Sequence, residues 1–367
     1  MNPTSVIISV GGQNSIGLSF PAIAAAVRGP ISGFSYCEHL RDRSAGEQIK
    51  LAMLELLPIG STPYDRMKEL ALGAARESLA PWGKVLLRKE SIALPVILSL
   101  PSTRPGFPDG EDVRLALEIV NELPVAINKA ECQLIECGQA GGLSALEMAR
   151  EMIINRRAPA CLVGGADCYI DIETLHWIEM QERLRGEDQP NGFVPGEGAA
   201  FLLVCDSEFA ADCGLAPLAE ILGVVTTEEP RPWYSDYPTL GEGLTLALHQ
   251  LFDHSMPPNG KATLTYCDMN GESWRVDEWL YAYLRTAKYH GEPLDLRHPA
   301  DCWGDLGAAS GVFLAGFAAL DLSRLPTNRG IVLVWTASDT TTDRSACLLR
   351  KIDPRIMEVE HGTDRAG

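Results

Sequence analysis

The sequence has no CxxC pair among its ten cysteines, no GxxxxGK[ST], no GxGxxG after an apolar run, no HExxH and no GxSxG. These gaps exclude a P-loop, a dinucleotide-binding turn, a zincin helix and a serine-hydrolase elbow. Positive charge is scarce as well: 31 Lys plus Arg against 49 Asp plus Glu leave a formal net charge of −18. A chain this acidic is repelled by phosphate backbones and anionic lipid surfaces, so neither nucleic acid nor a membrane surface is an expected partner. Long apolar runs are missing. Ile92–Leu100 and Gly311–Leu320 fall well short of the ~20 residues of a membrane span. The opening MNPTSVIISVGG has neither a basic stretch nor a signal-peptide core. None of the seven histidines is paired with Cys, Asp or Glu at metal-ligand spacing, and His249 and His254 do not share a helical face. The expectation is a cytoplasmic, reduced protein without metal or cofactor, its thiols free and mostly buried.

What is present is an ordinary globular balance, 46% hydrophobic and 22% charged over 367 residues. Short apolar runs alternate with helical patterns throughout. Val6–Val10, Val96–Leu100, Gln133–Glu136, Ala160–Val163 and Ala199–Val204 read as strands in the first half. Ser19–Arg28, Pro63–Leu79, Val113–Leu123 and Gly142–Ile154 read as helices between them. From Leu218 the alternation repeats, with helices at Thr239–Asp253, Val276–Tyr289 and Gly307–Leu320. It ends on strands at Ile331–Thr336 and Ala346–Leu349. The expected class is α/β, with buried sheets covered by helices, in halves 1–210 and 211–353, and with a mobile tail over 354–367.

The most distinctive segment is Asn191-Gly192-Phe193-Val194-Pro195-Gly196-Glu197-Gly198-Ala199-Ala200, where glycines flank a carboxylate at the start of a buried strand. Glu197 there is either solvated or bonded to backbone amides. With Val163-Gly164-Gly165-Ala166-Asp167 upstream, this segment resembles the β-ketoacyl synthases of the thiolase-like superfamily. The resemblance runs from Val6 to about Leu349. It implies a thiolase-like five-layer αβαβα fold made of two similar halves, and a dimer whose interface runs along strands near the nucleophile elbow.

That family's chemistry rests on a cysteine at a strand-to-helix elbow and two histidines. The cysteine is activated by a helix N-terminus. Here the elbow reads Gly138-Gln139-Ala140-Gly141-Gly142-Leu143-Ser144-Ala145-Leu146, which puts Gln139 at the nucleophile and Gly141 and Gly142 in the pocket wall. Cys137, two residues earlier, is the low-odds alternative nucleophile. In Asp268-Met269-Asn270-Gly271-Glu272, the first histidine position falls on Met269, or on Asn270 with one gap. In Trp303-Gly304-Asp305-Leu306-Gly307, the second falls on Asp305. A carboxylate there opposes decarboxylation, because negative charge collects on the substrate. Two like charges ~4 Å apart cost about 4 kcal/mol at an effective dielectric near 20. Asp305 reads instead as the N-cap of a helix beginning at Leu306. The last loop, Ser338 to Arg344, lacks the glycines of the family's acyl-gating loop.

These departures imply a catalytically silent homologue, a binding or structural subunit paired with an active synthase, as chain length factors are. A homodimer is the other arrangement. Two further readings stand beside it. One is an active enzyme that transfers acyl groups or decarboxylates malonyl thioesters through Gln139 or Cys137, as some polyketide loading modules do with a glutamine. The other is a stand-alone adaptor or chaperone holding a peptide or lipid tail in the old acyl pocket. An acyl carrier protein or acyl chain is a possible ligand. It would need a local basic patch, for which Arg150, Arg156 and Arg157, or Arg183 and Arg185, are the candidates, although they read equally as solvated helix faces.

Overall fold

A computed structural model describes residues 4–43, 46–58, 60–86, 92–325 and 330–352. The expected tail at 354–367 lies outside the described residues. The first half runs β1 (Ser5–Asn14), α1 (Phe20–Arg28), β2 (Ser35–Arg41), β3 (Gln48–Leu51), α2 (Pro63–Ser78) and α3 (Gly83–Leu86). It continues through β4 (Val96–Ser99), α4 (Glu111–Glu122), β5 (Gln133–Ile135), α5 (Gly141–Ile154), β6 (Ala160–Cys168), α6 (Ile172–Met180) and β7 (Glu197–Asp206). After α7 (Ser207–Asp212) the second half follows as β8 (Ala219–Glu228), α8 (Glu242–Ser255), β9 (Leu264–Cys267), α9 (Ser273–Thr286) and β10 (Leu296–Arg297). It closes with α10 (Ala300–Trp303), α11 (Ser310–Leu322), β11 (Ile331–Ala337) and β12 (Asp343–Arg350).

Ten strands form one sheet in the order β10-β9-β11-β12-β8-β1-β7-β6-β4-β5, while β2 and β3 pair apart from it. From the central β1–β8 seam outward, each half uses its first, last, second-last, second and third strand. The two halves are therefore topological copies. Their inner strands are antiparallel and their outer ones parallel. Strands β6 and β7 are buried along almost their whole length, which is why they read as continuous apolar runs and not as alternating ones.

The sheet turns at the seam so that α5 and α11 are covered on both sides. Helix α5 packs on β4 and β6 and also on β8 and β12; α11 packs on β6 and β7 and also on β9 and β11. Helix α2 covers the outer face of the first half, and α8 that of the second. The result is five layers, the thiolase-like architecture. Being enclosed, α11 has no polar face: every residue but Leu320 is buried. Outer helices instead carry ordinary end signals. In α2, the Thr62 hydroxyl accepts the Asp65 N–H and Pro63 opens the first turn.

The central helices cross backbone to backbone. A Cβ placed on Gly142 would lie 2.6 Å from the Val312 nitrogen, and one on Gly311 would lie 2.8 Å from the Leu143 nitrogen. Neither neighbour is a side chain that can swing aside. Gly142→Ala should therefore destabilise the protein by roughly 1–3 kcal/mol, the usual cost of overpacking a tight core. Denaturant unfolding measures this, and an unchanged midpoint would mean that the helices have room to part.

Candidate functional site

Each central helix is entered through a glycine in the left-handed region followed by one 3₁₀ turn: Gly138 (φ 50°) before Gly138–Ala140, and Gly307 (φ 48°) before Gly307–Ala309. These turns bring Gln139 and Asp305 together in the interior. The Gln139 Nε2 lies 3.3 Å from both Asp305 carboxylate oxygens, and its Oε1 accepts the Asp339 N–H at 3.1 Å. Asn270 donates from Nδ2 to Asp305 Oδ2 at 2.6 Å and to Glu272 Oε2 at 3.1 Å. Asp305 Oδ1 accepts the Gly307 N–H at 2.7 Å. Asp305 thus binds the first N–H of the short 3₁₀ turn, whose N-cap is Leu306, and does not cap the α-helix expected at Leu306; that helix starts at Ser310, with Ala309 at its N-cap. Of the two candidates for the first histidine position, the structure brings Asn270 to the site and packs Met269 into the outer core of the second half.

Around this circuit lie partners that the sequence reading missed. Arg183, read there as a solvated docking residue, is 5% exposed. It grips Glu272 at 2.6 and 3.0 Å and Asp339 at 2.6 Å. Arg275 donates to Asp268 at 2.7 Å and lies 3.9 Å from Asp305. Asp268 also accepts the Ala337 N–H at 2.9 Å. Four carboxyl groups, Asp268, Glu272, Asp305 and Asp339, thus share two guanidinium groups in a buried space. Burying two uncompensated negative charges is expensive, which favours proton uptake there. Burial pushes Asp268 up to about 6 against the pull of Arg275, and it raises Asp305 as well. Asp339, though equally buried, is held below the usual carboxylate range by Arg183 and Arg275.

Glu197 is not solvated. It accepts the Leu54 N–H at 2.7 Å and forms a two-point pair with Arg66 at 2.6 and 2.5 Å, all fully buried. That pair ties α2 to the start of β7, away from Gln139, and is structural. Gly141 packs its Cα face on Ser99, and Gly142 makes the helix crossing described above. Cys137 is half-buried beside Asp343, and burial first, then Asp343 and Glu136, push its thiol up to about 12. A thiol so raised is not the activated nucleophile that the alternative reading required. Among the described residues, no group of three His, Cys, Asp or Glu is placed to hold a metal, and no helix is long and apolar enough to cross a membrane.

Residues 132–210 match the model of the family described as Beta-ketoacyl synthase, N-terminal domain. The match takes in Gln139, β6 and Glu197. In three dimensions, the chain is similar to the ketosynthase from module 6 of the bacillaene synthase of Bacillus subtilis 168, at 12% identity and a TM-score of 0.75, over 96% of this chain and 72% of that one. It is similar to the ishigamide ketosynthase/chain length factor, at 16% identity and a TM-score of 0.76, over 96% of this chain and all of that one. The fold is ketosynthase-like. A third likeness, to a ketosynthase (ApeO) in complex with its chain length factor (ApeC) from Xenorhabdus doucetiae, has 14% identity and a TM-score of 0.71, over 95% of this chain and 98% of that one. No curated protein sequence matches significantly.

The amide donors around Gln139 are already engaged. The Asp339 N–H points at Gln139, the Gln139 amide at Asp305, and the Asn270 amide at two carboxylates. The charge imbalance gives a pH signature. Asp268 binds its proton more tightly folded than unfolded, so its contribution to stability is full below about pH 4 and is lost as the pH rises through about 6. The loss is up to roughly 3 kcal/mol. Chemical denaturation between pH 4 and 7 should show a fall that Asp268→Asn flattens; identical slopes in both proteins would mean that Asp268 is ionised throughout.

Proposed function

We propose that the protein is a ketosynthase homologue that no longer condenses, and that it works as a binding or structural subunit of an active ketosynthase, in the manner of a chain length factor. One observation carries the reading: Gln139, Asn270 and Asp305, which the sequence resemblance sets at the cysteine and histidine positions, are hydrogen-bonded to one another. Condensation needs a thiolate to take the acyl group and free donors to receive the developing enolate. Glutamine offers no thiolate, the carboxyl of Asp305 opposes an enolate, and the amide donors of Gln139, Asn270 and Asp339 are occupied.

Pairing is supported from two sides. Two of the solved relatives bear names that join a ketosynthase with a chain length factor. In this chain, β5 is the edge strand at one end of the sheet, its Leu134 and Ile135 only partly covered. An edge of this kind accepts a strand from another subunit. The partner in this reading is an active ketosynthase, with a second copy of this chain as the alternative, and the carrier protein meets the active member. A cytoplasmic location belongs to the same reading, since none of the ten cysteines is in a disulfide and eight are buried.

The test has two arms. Incubated with acyl and malonyl thioesters, the protein should gain no mass on intact-mass spectrometry and release no carbon dioxide above background. Stoichiometric acylation abolished by Cys137→Ala, or decarboxylation abolished by Gln139→Ala, would instead make it an enzyme. Co-expressed with a ketosynthase encoded beside it, the protein should elute as a stable heteromer in light scattering. A monomer at micromolar concentration that ignores that ketosynthase would argue for the adaptor reading.

A further inference from the structure

Beside the Gln139 circuit lies a cavity of about 360 Å³, at the small end of the range for small-molecule pockets. Its walls include Tyr169, Trp177, Trp233 and Tyr234, with Arg104 and Arg183 set between them. Cations and rings alternate: Arg104 lies 4.4 Å over Tyr169, Tyr169 meets Phe193 edge-on, and Arg183 lies 5.1 Å over Phe193 and 4.6 Å over Trp233. The Trp233 indole N–H donates to the Asp339 carbonyl at 2.9 Å and so fixes this ring against the site loop.

The charges of the wall are matched internally. Arg104 donates from Nη2 to Asp167 and to the Cys168 carbonyl, and Arg183 is held by Glu272 and Asp339. Each cation of the lining is engaged by a carboxylate and is not free to draw an anionic ligand. What is left is one donor and one acceptor: Arg104 Nε, on a side chain only 9% exposed, and Gln181 Oε1 are both buried without a hydrogen-bond partner. A buried polar atom without a partner destabilises the fold, and a bound molecule offering the complementary group would relieve that loss. Arg104 also lines a second cavity, of about 670 Å³.

We infer that this cavity is a binding site for a small, neutral, planar aromatic molecule carrying a hydroxyl group. The rings would take the flat face of the ligand; the hydroxyl would donate to Gln181 Oε1 and accept from Arg104 Nε. The inference rests on the non-condensing reading, in which binding is reversible and no bond is made. It differs from that reading in naming a flat ring, where a flexible acyl chain would be the ligand of a condensing site.

The test uses the full-length protein and isothermal titration calorimetry with 2-naphthol, decahydro-2-naphthol and naphthalene. These probes separate planarity from the hydroxyl group. 2-Naphthol should bind one to one, at least tenfold tighter than either comparator, and Gln181→Leu and Trp177→Leu should each weaken it about tenfold. Thermal melting of both variants checks that they fold; a variant that melts early is replaced by Gln181→Met, which removes the acceptor at nearly the same shape and should also weaken binding. The absence of saturable 2-naphthol binding, or equal binding of the saturated alcohol, overturns the inference and leaves the non-condensing reading intact. A covalent adduct from octanoyl-pantetheine overturns the non-condensing reading, and this inference with it.

Discussion

Two helices meet backbone to backbone at Gly142 and Gly311, and this contact fixes the distance between the turns that precede them. Because the halves are topological copies, the same left-handed glycine and 3₁₀ turn occurs twice, facing inward from both sides. Gln139 and Asp305 are neighbours for that reason alone. Any side chains at these two positions would be pressed together in a space without water, where polar groups must satisfy one another or destabilise the fold. In this chain they do so with a closed set of amide and carboxyl groups.

The closure reaches further than the pair. Asp339 comes from the loop after β11, Glu272 from the start of α9 and Arg183 from the segment after α6, and the three are joined through one guanidinium group. Asp167, at the end of β6, accepts the Ala308 N–H at 2.8 Å on one oxygen and Arg104 on the other. The interior is therefore cross-linked by charge-assisted bonds between distant elements, and the candidate cavity lies against that rigid wall. Order at the site and order in the core have the same source.

Much of this fold was legible in the sequence, because buried strands and enclosed helices leave continuous apolar runs at strand and helix lengths. Hairpin β2–β3 and the two-residue β10 left no such run, and the reading passed over them. At the site, Gln139 and Asp305 were singled out from the glycine and alanine pattern around them, and Asn270 only as an alternative to Met269. Their partners were not. Arg183 meets Glu272 and Asp339 only through the tertiary fold, across 89 and 156 positions of chain. In sequence, it resembled any arginine near the end of a surface helix. The role of Asp305 was misjudged by one turn, since a 3₁₀ turn ahead of a helix is not distinguishable by periodicity from the helix itself.

The position of β1 has a consequence for how the chain is made. This strand lies at the seam, where Ser5 pairs with Asp206 and Ile7 pairs with both Val204 and Ala219. It leaves the ribosome before both neighbouring strands, β7 (Glu197–Asp206) and β8 (Ala219–Glu228). At about 5–20 residues per second, its apolar side chains wait on the order of 10–40 seconds for a partner. Val6 and Ile7, buried in the finished protein, are exposed for that interval. Sheet pairings across such separations are also slow to form, because a long loop must close before any contact rewards it. The joining of the two halves is then a late event in folding, and the central layer that holds Gln139 and Asp305 is among the last parts of the molecule to become dry.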